Sequence, residues 1–460
     1  MTSVTSVYDQ LFGAAGTDPD RPCLVLDDGA TLTYGDLDDR SAAVAGGLRS
    51  RRVGVEDRVV AQVEKSVDAI ALYLACLRTG AVYVPLNTAY TDAEVRAFVD
   101  DAEAALVVDD GLLADLASSD PSAEVAERSG DDWAAMLYTS GTTGRSKGAM
   151  LSCDNLVANG RALHDAWRFS PDDVLIHVLP VFHVHGLFVA LHCAFLAGAT
   201  VRFHTRFDPH AVVADLRRST VLMGVPTHHH RLLDQTDLSP DDCAGMRLFT
   251  SGSAPLLAAR HDEFAERTGH RIVERYGMTE TMILTSNPYE GDRVAGTVGF
   301  PLPGVAARTN DDGIIEVRTP GLFLGYWREP EKTANSFTDD GWFVTGDVGT
   351  IDDEGRVTLA GRQSDMIISG GLNIYPKEIE SVLDGVDGVD ESAVVGVPDP
   401  DFGETVVAVV VGKVDESVLR DACEATLARF KHPRRYLSVE SLPRNAMGKV
   451  QKATLRRSLS

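Results

Sequence analysis

Tyr138-Thr139-Ser140-Gly141-Thr142-Thr143-Gly144-Arg145-Ser146-Lys147-Gly148 gathers hydroxyl side chains, three glycines and one lysine into eleven residues. Glycines let successive backbone N–H groups turn inward and form a nest for an anion. Hydroxyls add donors, and a lysine adds a point charge. The composition suits a nucleotide triphosphate. It is not a Walker loop, because only Thr142 and Thr143 separate Gly141 from Gly144, and Lys147 precedes a glycine. A flexible Gly/Thr linker is the competing reading. The flanks argue against it. Ala134 to Tyr138 reads as a buried strand entering the loop, and Ser152 stands ready to cap a helix through Asn155-Leu156-Val157.

Outward from this loop, strands and helices alternate. Val59 to Val63 reads as a strand, Ser66 to Arg78 as a helix with Val67, Ile70, Ala71 and Leu74 on one face, and Ala81 to Leu86 as the next strand. That rhythm implies a mainly parallel sheet covered by helices, an α/β fold. Turn-rich strands follow at Gly313–Arg318 and Gly341–Val344. Near residue 361 the character changes to a compact α+β unit: a helix at Ile379–Leu383, a strand at Glu404–Val411 and an amphipathic helix from Glu416 to Phe430. The expected organisation is a large N-terminal domain over 1–361, with a turn-rich β subdomain, and a small mobile C-terminal domain over 362–460.

A chain of 460 residues with formal charge −25 is not built to bind nucleic acid or an anionic membrane non-specifically. Cys23, Cys76, Cys153, Cys193, Cys243 and Cys423 are scattered without zinc spacing and read as core residues. Met1-Thr2-Ser3-Val4 shows no secretory signal, and the most apolar segment, 186–199, is too short to span a bilayer. A reducing cytoplasm fits these features.

Five further polar, glycine-marked segments follow the first in a fixed order. They are Ser251-Gly252-Ser253-Ala254-Pro255, Arg275-Tyr276-Gly277-Met278-Thr279-Glu280, Val344-Thr345-Gly346-Asp347, Gly361-Arg362-Gln363-Ser364-Asp365 with Ser369-Gly370-Gly371, and Pro443 to Lys452 around Gly448-Lys449. Each alone is an ordinary turn. Together, over essentially the whole chain, they resemble the adenylate-forming superfamily of acyl-CoA synthetases, luciferases and amino-acid-activating domains.

The resemblance implies two half-reactions: a carboxylate attacks the α-phosphorus of ATP to give acyl-AMP and pyrophosphate, then the thiol of coenzyme A displaces AMP. It implies Lys449, Thr142 and Glu280 as catalytic residues, with Glu280 and Thr142 as Mg²⁺ ligands. ATP or AMP would be held by Thr139, Ser140, Gly141, Thr142, Thr143, Gly144, Lys147, Ser253, Tyr276, Gly277, Met278, Thr279, Asp347 and Arg362. Within that set Tyr276 offers a platform for adenine, and Asp347 with Arg362 offers partners for the ribose. Ser369, Gly370 and Gly371 would line the coenzyme A channel. The hinge would fall at Ser364, where the family commonly has Asp or Lys.

The segment Phe182-His183-Val184-His185-Gly186-Leu187 lacks the Asp with which amino-acid-activating domains hold an amine. With Gly224-Val225-Pro226-Thr227-His228-His229-His230-Arg231 it resembles the malonyl-CoA synthetase branch. There an arginine matching Arg231 takes the distal carboxylate of malonate or methylmalonate. The acyl pocket would use His183, Val184, Arg231, Ser251, Ile283 and Leu284. An exposed arginine in an ion pair is the structural alternative for Arg231, and a core imidazole that for His183. The consecutive histidines could also suggest a metal, but adjacent side chains seldom converge on one ion. Ile283-Leu284 depart from the branch's usual Met-Asn, and Cys153, Ser146 and His228-His229 are further departures. The apolar Ile-Leu pair suggests tolerance of 2-alkyl malonates. A medium-chain or aryl acid ligase and a luciferase-like oxidoreductase are the alternative functions.

Overall fold

The computed structural model describes residues 6–12, 18–139, 146–445 and 448–459. Two large sheets carry the first part of the chain. A six-stranded sheet runs in the order Gly325–Tyr326, Lys147–Ser152, Trp133–Thr139, Val82–Pro85, Arg58–Ala61 and Leu106–Val108. Its last four strands are parallel, whereas Lys147–Ser152 lies antiparallel beside Trp133–Thr139. A nine-stranded sheet is parallel through its centre, in the order Val273–Met278, Leu248–Ser251, Val221–Gly224, Val174–His177 and Thr200–Phe203. The fold class read from the alternating pattern is therefore correct.

The helix Val67–Thr79 shows why the two sheets stay together. Ser66 caps it by accepting the Ala69 N–H at 3.1 Å, and Gly80, at φ 74°, ends it. Every residue from Ala69 to Thr79 is buried, not one face as the periodicity suggests. A helix apolar all round belongs between layers rather than on a surface. Ser152 caps Cys153–Ala166 as expected, in a reciprocal capping box with Asn155.

A four-stranded antiparallel sheet follows, Ala306–Thr309, Ile314–Arg318, Phe343–Ile351 and Val357–Arg362. Strands from Ile367 onward join a separate sheet built on Gly403–Gly412. Its valines alternate between two small cores: Val406, Ala408 and Val410 face helices Pro376–Leu383 and Glu416–Thr426, whereas Val407 and Val409 pack with Leu442 and Leu455. The helix expected to reach Phe430 ends at Thr426. Leu427 there turns extended (φ −114°, ψ 152°), and its carbonyl accepts from the His432 ring at 2.9 Å.

Candidate active site

Open parallel sheets bind ligands beyond the carboxyl ends of their strands. In the nine-stranded sheet those ends are His177, Gly224, Ser251 and Met278. Strand Val273–Met278 sends neighbouring side chains to opposite faces. On one side the Tyr276 hydroxyl donates to Asp347 Oδ2 at 2.6 Å. Arg362 Nε meets the other oxygen of Asp347 at 2.8 Å, and Asp347 and Arg362 are direct cross-strand partners. Glu280 is buried beside this pair and accepts the Tyr326 hydroxyl at 2.9 Å. Burial raises the Glu280 pKa; Tyr326, Arg362 and Lys147 pull it back. The Lys147 ammonium lies 4.7 Å from the Tyr326 ring centre, and Thr139 Oγ1 donates to the Lys147 carbonyl at 3.4 Å. Ser140, Gly141, Thr142, Thr143 and Gly144 lie outside the described residues.

Local backbone geometry holds this cluster in place. Ser253 adopts φ 68° and Met282 φ 56°, a left-handed conformation uncommon for residues with a Cβ. Met278 pairs with Met282 across the turn that carries Thr279 and Glu280. The register shifts here, so Ile283 and Leu284 crowd opposite Gly277, where any Cβ would collide with the Met282 carbonyl. Ile283 and Leu284 are buried, as is Val184.

The small domain reaches this cluster through its last loop. A Cβ on Gly448 would lie 2.8 Å from Thr227 Oγ1, so the loop rests on the first turn of helix Pro226–Leu233. Asn445 Oδ1 accepts the Lys449 N–H at 2.9 Å, and Arg444 braces the loop through Glu391 and the Gly448 carbonyl. The Lys449 side chain remains accessible, but protein density around its ammonium lowers its pKa, as does Arg362, while Asp347 and Asp365 oppose the shift. Lys449 is thus within electrostatic reach of the Asp347–Arg362 pair.

The other face of Val273–Met278 carries Arg275, to which the sequence reading gives no role. Its side chain is buried, and Nε and Nη2 have no hydrogen-bond partner. The guanidinium packs on Gly252, where a Cβ would lie 2.5 Å from Cζ. His185, whose two ring nitrogens both lack partners, lies within its electrostatic reach. His183 Nδ1 accepts the His185 N–H at 3.1 Å, which leaves its proton on Nε2. Burial, then Arg275, push the His183 pKa down to about 4, so the ring is neutral. A buried guanidinium among neutral imidazoles is a site prepared for an anion. One signal was legible: Glu274-Arg275 sits inside an otherwise apolar strand, where charge is expensive.

Arg231 is exposed, and no carboxylate among the described residues forms an ion pair with it. Its electrostatic neighbours are His228 and Arg444, both basic. The three adjacent histidines face three environments. His228 stacks on Phe207 at 4.2 Å, His229 bonds the Thr250 carbonyl at 3.0 Å, and His230 turns toward Asp234. They cannot share an ion.

Ser369 pairs with Leu372 across a tight turn formed by Gly370 (φ 58°) and Gly371 (φ 79°). No large-domain atom comes within 4 Å of the Cβ position of either glycine, so neither glycine packs against the large domain. Ser364 lies in the short 3₁₀ turn Gln363–Asp365, between the last strand of the four-stranded sheet and the small domain's first strand.

The chain matches the family model described as AMP-binding enzyme over residues 11–327, and that of the AMP-binding enzyme C-terminal domain over 378–449. It is 33% identical to a malonate–CoA ligase of Arabidopsis thaliana, over 99% of this chain and 89% of that protein. Among solved structures, ATP-bound MatB from Rhodopseudomonas palustris superposes with a TM-score of 0.95 at 48% identity, over 98% of both chains. Apo MatB from the same organism, at 47% identity and the same coverage, gives 0.83.

Proposed function

The chain belongs to the AMP-binding enzymes, and from that premise we propose that it is an AMP-forming acid–CoA ligase for malonate and 2-substituted malonates such as methylmalonate. ATP and coenzyme A are its co-substrates, and acyl-AMP is the intermediate. The observation that carries the choice of acid is Arg275: a buried, unpaired guanidinium facing neutral groups in the crevice. An unmatched buried charge is unfavourable by roughly 3–5 kcal/mol. A monocarboxylate leaves it unmatched, whereas the distal carboxylate of a malonate supplies the missing acceptor. Arg231 is exposed and adds nothing to this argument; it lies within electrostatic reach of Arg444, on the loop that carries Lys449.

In the first half-reaction a carboxylate oxygen bonds to the α-phosphorus and the bond to pyrophosphate breaks. Negative charge grows between the two reactants. Lys449 supplies the nearby cation, a role its position beside Asp347 and Arg362 supports. Tyr276 and Asp347 form the nucleoside end, with Arg362 fixing the carboxylate. Lys147 and the loop after Thr139 form the pyrophosphate end. The chemistry at Glu280, one buried hard oxygen donor next to the phosphate grip, fits Mg²⁺, which commonly takes one or two carboxylates and completes its shell with phosphates and water. Bound there, the ion would offset charge on the phosphates. His183 offers Nε2–H to the acid.

In the second half-reaction the thiol sulfur bonds to the acyl carbon and AMP leaves. Ser369, Gly370 and Gly371 are assigned to coenzyme A, yet neither glycine packs against the large domain that carries Glu280. One site serving both steps therefore requires residues 362–460 to turn about Ser364. Six buried free thiols suit a reducing compartment such as the cytoplasm, and no helix among the described residues is long and apolar enough to cross a membrane. Malonate-dependent exchange of pyrophosphate into ATP, followed by AMP release on adding coenzyme A, tests the assignment. Absence of exchange with every malonate would refute it.

A further inference from the structure

Lys65 and His177 join the two large sheets through a polar contact to which the adenylation chemistry above gives no role. Lys65 follows strand Arg58–Ala61 of the six-stranded sheet, and His177 ends strand Val174–His177 of the nine-stranded sheet. The Lys65 ammonium donates to the His177 carbonyl at 3.0 Å and lies 4.6 Å from the centre of the Phe203 ring. The His177 ring stacks on the same Phe203, with centres 5.6 Å apart and planes 23° apart. No carboxylate among the described residues forms an ion pair with Lys65. Asp27, its electrostatic neighbour, is held by His204 and Thr205. Protein around the ammonium holds its pKa well below the ordinary lysine value. A cation so enclosed, with a carbonyl and an aromatic face for company, is unfavourable, and proteins carry such exceptions mainly at functional sites.

The His177 ring passes the restraint on. Its Nε2 lies 3.0 Å from the Gly186 carbonyl. A carbonyl only accepts, so Nε2 carries the proton, and Nδ1 is bare and without a partner. Burial, then the Lys65 charge, keep the ring neutral, so this single N–H stays with Gly186. Gly186 stands in the first turn of the π-helix His185–Leu191. In a π-helix a carbonyl accepts from the amide five residues on, not four, and a side chain inserted into the ladder favours such a change. His185 precedes Gly186 directly, and its N–H donates to His183 Nδ1. A shift of the Gly186 carbonyl therefore moves both imidazoles that stand within electrostatic reach of Arg275.

We infer that Lys65 and His177 are positioning residues for the acid: Lys65 fixes the strand end at His177, and the His177 ring fixes the Gly186 carbonyl and with it His183 and His185. The inference rests on the ligase reading above, which gives the acid to Arg275 and those imidazoles. The nucleotide cluster hangs on other contacts, Tyr276 and Arg362 to Asp347 and Tyr326 to Glu280, so loss of either positioning residue acts on the acid and not on ATP.

Initial rates of malonate-dependent pyrophosphate exchange, taken against malonate and against ATP, test it in His177→Phe, His177→Gln, Lys65→Met and Lys65→Arg. His177→Phe keeps a ring on Phe203 without the donor, and is expected to raise KM for malonate about tenfold, the worth of one hydrogen bond, with KM for ATP unchanged. His177→Gln retains an N–H donor and is expected to restore most of the malonate affinity, which packing alone would not do. Lys65→Met keeps the stem and removes the cation; it is expected to raise the malonate KM about fivefold, and Lys65→Arg to return it. That pair carries the same test if His177→Phe does not fold. Parallel rises in both KM values, an unchanged malonate KM in both His177→Phe and Lys65→Met, or His177→Gln no better than His177→Phe would overturn the inference. Lack of exchange in the unaltered enzyme with every malonate would instead overturn the ligase reading, and this inference with it.

Discussion

At the scale of single residues, charge placed where it has no partner carries the account. Arg275→Met is expected to lower kcat/KM for malonate by a factor of about a hundred or more, the equivalent of losing a buried charge pair. Butyrate turnover is expected to hold or rise, and a comparison of the two acids in one AMP-release assay checks this. Lys449→Ala is expected to lose about a hundredfold or more in adenylation while still making thioester from supplied acyl-AMP. Glu274 gives a test through stability. Burial pushes its carboxyl up to about 8, against the pull of the Gly296 N–H and Lys377. In the unfolded chain it ionises near pH 4.3. Between these values the folded state holds the proton and the unfolded state does not, so stability falls as pH rises across that window. Glu274→Gln keeps an acceptor for Gly296 and is expected to flatten the slope, stabilising the protein at pH 8 by roughly 4–5 kcal/mol. Thermal melts from pH 5 to 9 measure it. Of these residues Lys449 was legible as part of a motif. Arg275 and Glu274 were legible only as charges in an apolar strand; that two guanidinium nitrogens of Arg275 lack partners and that burial keeps Glu274 protonated are properties of the packed structure.

At the scale of elements, the helix following His183 shows both the reach and the limit of sequence patterns. His185–Leu191 is wound as a π-helix, a form that favours functional sites. Its apolar run Leu187 to Leu191 marks burial in the sequence but not the winding. Gly186 permits the tight start, since a Cβ there would collide with the Pro180 carbonyl. Gly186→Ala is therefore expected to displace His183 and His185, raising the malonate KM more than the ATP KM in initial-rate assays. Capping chemistry was legible at Ser152, which caps the helix its position suggests, whereas Ser66, read as the first helical residue, is the cap of Val67–Thr79. The end of Glu416–Thr426 was not, because Leu427 leaves the helix through a contact with His432, local geometry that periodicity does not encode.

At the scale of the molecule, the α/β order of the first 350 residues was legible because hydrophobic period and turn chemistry agree there. The arrangement of the small domain was not. Here its Lys449 loop rests on Thr227, while neither Gly370 nor Gly371 packs against the large domain. The better superposition on ATP-bound than on apo MatB fits an arrangement suited to the first half-reaction. Stiffening the connection should then separate the two steps. Ser364→Pro is expected to keep pyrophosphate exchange while slowing thioester formation about tenfold or more, as a hinge that cannot absorb a backbone change would. Rapid-quench measurement of each half-reaction distinguishes this from a general loss.

The most direct test of the central claim is kcat/KM of the unaltered enzyme for malonate, methylmalonate and butyrate, each with saturating ATP and coenzyme A. The buried, unpaired Arg275 leads to malonate or methylmalonate exceeding butyrate by about a hundredfold or more. Butyrate equal to or ahead of both malonates would contradict the account.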